Sequence, residues 1–130
     1  MKKLIAALVV AALFTACHKD KVQVPANGFT GSWELRTAMS GWTVPVTYPP
    51  GNGNRYVFTA DSTYTKYEAN QLKAQGKFST NQIGSDNSAK YGLIKFINPD
   101  YSDVYRIKSD SLIIGTSVAD GPSWLYVRMK

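Results

Sequence analysis

Tyr56-Val57-Phe58-Thr59-Ala60-Asp61-Ser62-Thr63-Tyr64 reads as two short strands and the turn that joins them. Tyr56 and Phe58 alternate with smaller residues, so they belong to one face of a strand, since successive strand side chains point to opposite faces. Ala60-Asp61 supplies the turn, because an Asp side chain can bond its own backbone two residues on. Thr63 and Tyr64 then resume β-branched and aromatic composition. The same grammar runs outward in both directions and gives eight candidate strands: Gly31–Met39, Arg55–Thr59, Thr63–Glu68, Gly76–Thr80, Tyr91–Ile97, Asp103–Ile107, Ser111–Gly115 and Ser123–Met129. Asn98-Pro99-Asp100, Ser109-Asp110 and Asp120-Gly121 are further turn signals. Trp33/Leu35, Tyr105/Ile107, Leu112/Ile114 and Trp124/Tyr126/Arg128 form the other alternating sets expected to face one side of the sheet. Tyr91–Ile97 is apolar on both faces, and its inward side stays open.

No convincing helical periodicity follows Cys17. Glu68 to Lys73 could make one helical turn, too short to be stable alone. Two connections are long, Ser40–Asn54 with three prolines and three glycines, and the polar Gln82–Ala89. Eight short antiparallel strands joined mainly by tight turns predict an all-β domain, an up-and-down meander closed into a barrel. Closure removes both sheet edges, and eight strands is a common barrel size. A two-sheet β-sandwich is the alternative that strand spacing cannot separate.

The N-terminus has a different character. Lys2 and Lys3 precede an unbroken apolar run, Leu4 to Phe14, followed by the small residues Thr15-Ala16 and then Cys17. A positive start, a short apolar stretch and small residues make a secretory signal, and the run is too short to span a membrane. Leu13-Phe14-Thr15-Ala16-Cys17 resembles the lipobox of bacterial lipoproteins. That resemblance implies cleavage before Cys17 and acyl chains on its sulfur and new amino group, and two or more chains make a stable membrane anchor. Cys17 is the only cysteine, so an intrachain disulfide has no second partner. Phe14 departs from the Leu, Val or Ile usual at its place in the lipobox. Residue 18 is His rather than the Asp that holds some lipoproteins in the inner membrane, so sorting to the outer membrane is expected, on its periplasmic or its surface side. The expected organisation is a signal peptide over 1–16, a lipidated Cys and tether over 17–27, and a β-barrel over 28–130.

The formal charge of the full chain is +6. Loss of Lys2 and Lys3 leaves 13 basic against nine acidic residues, a balance of +4. The basic residues are scattered rather than gathered in a stripe, so no nucleic-acid partner is expected. The only histidine, His18, lies outside the strand region, so the domain lacks a His base for a Ser-His-Asp or Cys-His arrangement. No His/Cys cluster suits a transition metal, and Asp100 with Asp103 reads as a solvated turn before a calcium site. Neither cofactor, metal nor enzymatic activity is expected.

Gly31-Ser32-Trp33, opening the first strand after Phe29, resembles the Gly-x-Trp signature of the lipocalins. Phe29 to Met129 as a whole is similar to small lipocalin-like lipoproteins of Gram-negative bacteria, through Gly31–Leu35, Tyr56–Tyr64, Gly76-Lys77-Phe78, Ser109–Ile114 and Tyr126-Val127-Arg128. The resemblance implies that Arg128 packs across Trp33 at the closed end of the barrel, a cation–π contact worth about 0.5–2 kcal/mol. It also implies that Ser40–Asn54 lids the open end, with Trp42, Tyr48, Tyr101 and Trp124 near the mouth and Tyr56, Phe58 and Tyr126 lining the interior. Two functions follow. One is a membrane-tethered protein that binds a small apolar ligand. The other is a filled barrel that engages an envelope protein through its loops or outer wall. A void above roughly 300 Å³ favours the first. The domain is short for a lipocalin, which favours a small cavity.

Overall fold

The computed structural model describes residues 28–116 and 121–130. Residues 1–27, with the expected signal segment, Cys17 and the expected tether, lie outside the described residues. Nine strands are present: β1 (Gly31–Met39), β2 (Val46–Thr47), β3 (Arg55–Phe58), β4 (Thr63–Glu68), β5 (Gln71–Asp86), β6 (Ala89–Ile97), β7 (Tyr101–Lys108), β8 (Ser111–Gly115) and β9 (Ser123–Arg128). Every neighbour is antiparallel, in the order β2-β1-β3-β4-β5-β6-β7-β8-β9, and β1 also pairs with β9. That last pairing closes an eight-stranded up-and-down barrel of lipocalin-like architecture, with β2 as a two-residue extension. There is no helix among the described residues. The sandwich alternative is set aside, because one continuous ladder runs round the molecule.

β1 is split between partners. Its lower half, Gly31 to Glu34, pairs with β3, while Thr37 and Ala38 pair with β2. Its other side carries β9, with Trp33 opposite Arg128 and Met39 opposite Ser123, and a bulge between Leu35 and Thr37. A bulge sharpens local twist, which helps a short sheet curl into closure.

The expected and observed strands differ most in the middle of the chain. β5 is sixteen residues long, where the sequence suggested only Gly76–Thr80. Gln82–Ala89, expected as a loop, is the far end of the β5–β6 hairpin, turning at Asn87-Ser88, both of positive φ. The helical turn expected near Glu68–Lys73 is a tight turn at Ala69-Asn70. Both residues have positive φ (49° and 65°), the conformation that matches strand twist in a two-residue hairpin. Alanine does not favour it. The turn is held from outside, because Asn54 Oδ1 accepts from the Ala69 N–H at 3.0 Å and the Gly53 carbonyl accepts from the Asn70 N–H at 3.0 Å.

Alternation names the interior correctly for most strands. Tyr56 and Phe58, Tyr105 and Ile107, and Leu112 and Ile114 are all buried. On β6 the inward residues are Ile94 and Phe96, while Tyr91, Leu93 and Ile97 face outward. The closed end is solid. Phe29 plugs it, with its ring 4.9 Å from Tyr105 and 5.6 Å from Phe58, and Phe58 lies 4.8 Å from Phe78. These edge-on contacts are the favourable geometry for aromatic pairs.

Candidate functional site

Two places in the barrel bring the singled-out residues together. At the closed end, the Arg128 guanidinium lies 4.1 Å from the centre of the fully buried Trp33 ring. Trp33 Nε1 donates to the Phe29 carbonyl at 2.7 Å. Arg128 donates to the Thr30 and Gly28 carbonyls at 2.6 Å each and to Asp110 at 3.2 Å. The fork of the guanidinium thus binds the chain entering β1 while its face covers the ring that begins it. Gly31 is required beneath it. Its φ is +130°, and a Cβ there would sit 2.8 Å from Arg128 Nη1.

The opposite end is open. A cavity of about 830 Å³ occupies the upper half of the barrel. That lies within the range of small-molecule pockets. Tyr48, Tyr56, Tyr101, Trp124 and Tyr126 line it, five of the seven aromatics marked from sequence. Phe58 does not, since it is packed with Phe29 and Phe78 below. Trp42 does not line it and is 87% exposed. Polar contacts tie the later part of its loop, Ser40–Asn54, to β1, and Tyr48 and Asn54 from that loop line the cavity. The Gly51 N–H donates to Glu34 Oε1 at 2.7 Å, Asn52 Nδ2 donates to the Leu35 carbonyl at 2.9 Å, and the Tyr48 N–H donates to the Arg36 carbonyl at 2.8 Å. Glu34 is buried under this loop and is paired with Arg36 at 2.9 Å. The Thr116–Pro122 connection at the same end lies partly outside the described residues.

The sequence reading missed several wall residues. Tyr64, Lys66 and Glu68 on β4, Ala74 on β5, and Phe96 on β6 all face the cup. Period two from Tyr64 points to Lys66 and Glu68, but the alternating sets singled out from the sequence did not include this strand. Phe96 was hidden by the two-sided apolar run of β6.

The cup is aromatic and partly polar. Tyr56 stacks on Phe96 with centroids 5.4 Å apart and planes 17° apart, and meets Tyr126 edge-on at 5.3 Å. The Tyr64 hydroxyl donates to the Asn98 carbonyl at 3.0 Å, and the Tyr101 hydroxyl donates to Asp103. Tyr56 and Tyr126 are more than nine-tenths buried, yet their hydroxyls are not among the buried polar atoms without a partner and so reach the open space of the cup. Burial pushes both phenols well above the usual tyrosine range, reinforced by neighbouring tyrosines and by Glu68. Both are therefore neutral hydroxyls, able to donate and accept. Lys66 Nζ lies 5.7 Å from the Tyr56 ring centre and pairs with Glu68 at 3.1 Å. Arg55 and Lys73 add cations to the rim. Among the described residues, no group of three or more His, Cys, Asp or Glu side chains could hold a metal ion.

No family model, curated protein or solved structure matches the chain. The site is therefore read from its own geometry.

Proposed function

We propose that this protein is a lipid-anchored envelope protein whose barrel binds one small ligand with an apolar body, without catalysis. The observation that supports binding is the half-filled interior. Below, aromatic packing leaves no room. Above, about 830 Å³ opens to solvent between buried aromatic walls. A barrel built only for stability would cover that aromatic wall with side chains, because apolar surface left facing water forfeits the gain of burial. The wall combines an apolar surface with a few polar groups that can orient a guest.

Native mass spectrometry of the purified chain tests this directly, with a co-purifying or added apolar compound expected at one per chain. Failure of every added apolar compound to bind refutes it. Anchoring rests on the Leu13–Cys17 lipobox resemblance and has its own test. Cys17→Ser should abolish radiolabelled palmitate incorporation and detergent-phase partitioning; a variant that partitions like the wild type removes the anchor from the reading. The outer membrane is the proposed location, with His18 after the Cys as the supporting feature.

The interaction-module alternative has one supporting observation. Leu93 on β6 lies opposite Val104 on β7, and Tyr91 and Ile97 share the same outer face of β6. A partner that binds this wall in the absence of any ligand would favour it.

A further inference from the structure

We propose that the guest of the cup is a flat aromatic molecule bearing one acidic group, with its rings deep among the tyrosines and its anion at the Lys66–Lys73 rim. This inference rests on the reading of the cup as a ligand site and names the class of ligand.

Two features of the cup point this way. The first is the wall. The stacked Tyr56 and Phe96 back the wall, and the partly exposed rings of Tyr48, Tyr101 and Trp124 present faces and edges to the cup, while aliphatic surface is limited to a few residues such as Leu35 and Ile114. Ring faces and edges match another ring better than a flexible alkyl chain, whose ordering also costs rotamer entropy. The hydroxyls of Tyr56 and Tyr126, which open to the cup, suit a polar ring substituent, since a neutral phenol can both donate and accept.

The second feature is charge. The ionisable side chains lining the cup, apart from the tyrosines, are Arg55, Lys66, Lys73 and Glu68, three cations against one carboxylate. A cationic guest is the rival, because aromatic rings also attract cations. Glu68, however, is already paired with Lys66 at 3.1 Å. An anion at the rim would meet the surplus of positive charge and would share Lys66 with Glu68. Arg55 is partly committed, with its guanidinium 4.1 Å from the Tyr67 ring centre and bonded to Asn70 at 2.8 Å. Lys66 and Lys73 are therefore the groups assigned to the anion.

Two dyes with the same aromatic body separate these ideas. 8-Anilinonaphthalene-1-sulfonate carries one sulfonate, and N-phenyl-1-naphthylamine lacks it. Both are titrated by fluorescence into the full chain, with Ala74→Trp as the reference. Ala74 lines the cup, so the added ring should fill it while the N-terminal apolar run stays unchanged, and circular dichroism checks that the barrel is retained. The sulfonate should bind at least about tenfold more tightly than its neutral analogue, equivalent to about 1.4 kcal/mol. The double substitution Lys66→Gln/Lys73→Gln should erase that difference and leave the neutral dye unaffected. Glu68→Gln should tighten the sulfonate. 2-Naphthoate should displace the dye better than decanoate. Equal binding of the two dyes, or a sulfonate affinity insensitive to the double substitution, overturns the acidic class while leaving the cup as a binding site. Better displacement by decanoate overturns the aromatic class. If neither dye exceeds the Ala74→Trp signal, the cup reading itself fails.

Discussion

The contact between Trp33 and Arg128 can be measured as a double-mutant cycle. Trp33 has no exposed surface, and its ring is held by the Phe29 carbonyl on one side and by the Arg128 guanidinium at 4.1 Å on the other. Trp33→Ala therefore removes a large ring from a site that cannot readily collapse, a loss of about 3–5 kcal/mol. Arg128→Ala loses the ring contact and the bonds to the Thr30 and Gly28 carbonyls. The guanidinium is partly solvated, so the cost should be smaller, about 1–3 kcal/mol. The coupling between the two should be about 0.5–2 kcal/mol, the size of one cation–π contact. Arg128→Lys should fall between wild type and Ala, since it keeps the charge but not the fork that reaches two carbonyls. Urea unfolding followed by circular dichroism measures all of these without relying on tryptophan emission. A coupling indistinguishable from zero, within the roughly 0.3–0.5 kcal/mol scatter of independent sites, would show that the pair does not act as a unit.

Glu34→Ala should destabilise the fold by about 1.5–3 kcal/mol, because it removes a charge-assisted bond to the Gly51 N–H and the pairing with Arg36, and thermal unfolding checks it. Gly31→Ala should lower stability by about 1–3 kcal/mol, since it forces a side chain into positive φ against Arg128, and the same unfolding measurement tests it. Tyrosine titration at 295 nm should show Tyr56 and Tyr126 protonated after exposed tyrosines have ionised near pH 10. Because their folded pKa is raised, the native state binds more protons than the unfolded chain above about pH 10. Stability should therefore hold up to that point and fall as pH rises further; unchanged stability between about pH 10 and 12 would contradict the burial of these phenols.

The all-β class, most strand positions and the inward face of most strands were legible in the chain, because side-chain alternation and turn chemistry are local properties. Tyr56/Phe58 and Leu112/Ile114 needed no partner to reveal which way they point. The pairing of Trp33 with Arg128 was legible through a family resemblance. Closure was not, since a barrel and a sandwich use the same strands and differ only in whether β1 finds β9. The Ala69-Asn70 turn was hidden for the same reason: its conformation is imposed by Gly53 and Asn54, some sixteen residues earlier. Lys66 and Glu68 were legible as charged strand residues, but only the curvature of the sheet turns their face toward an open cup. The cup itself depends on tertiary structure. Whether eight strands enclose a void is decided by how far Phe29 and its neighbours fill the bottom, and by where the loop over β1 is tied down. Those are sums over contacts between residues distant in sequence, which no local pattern encodes.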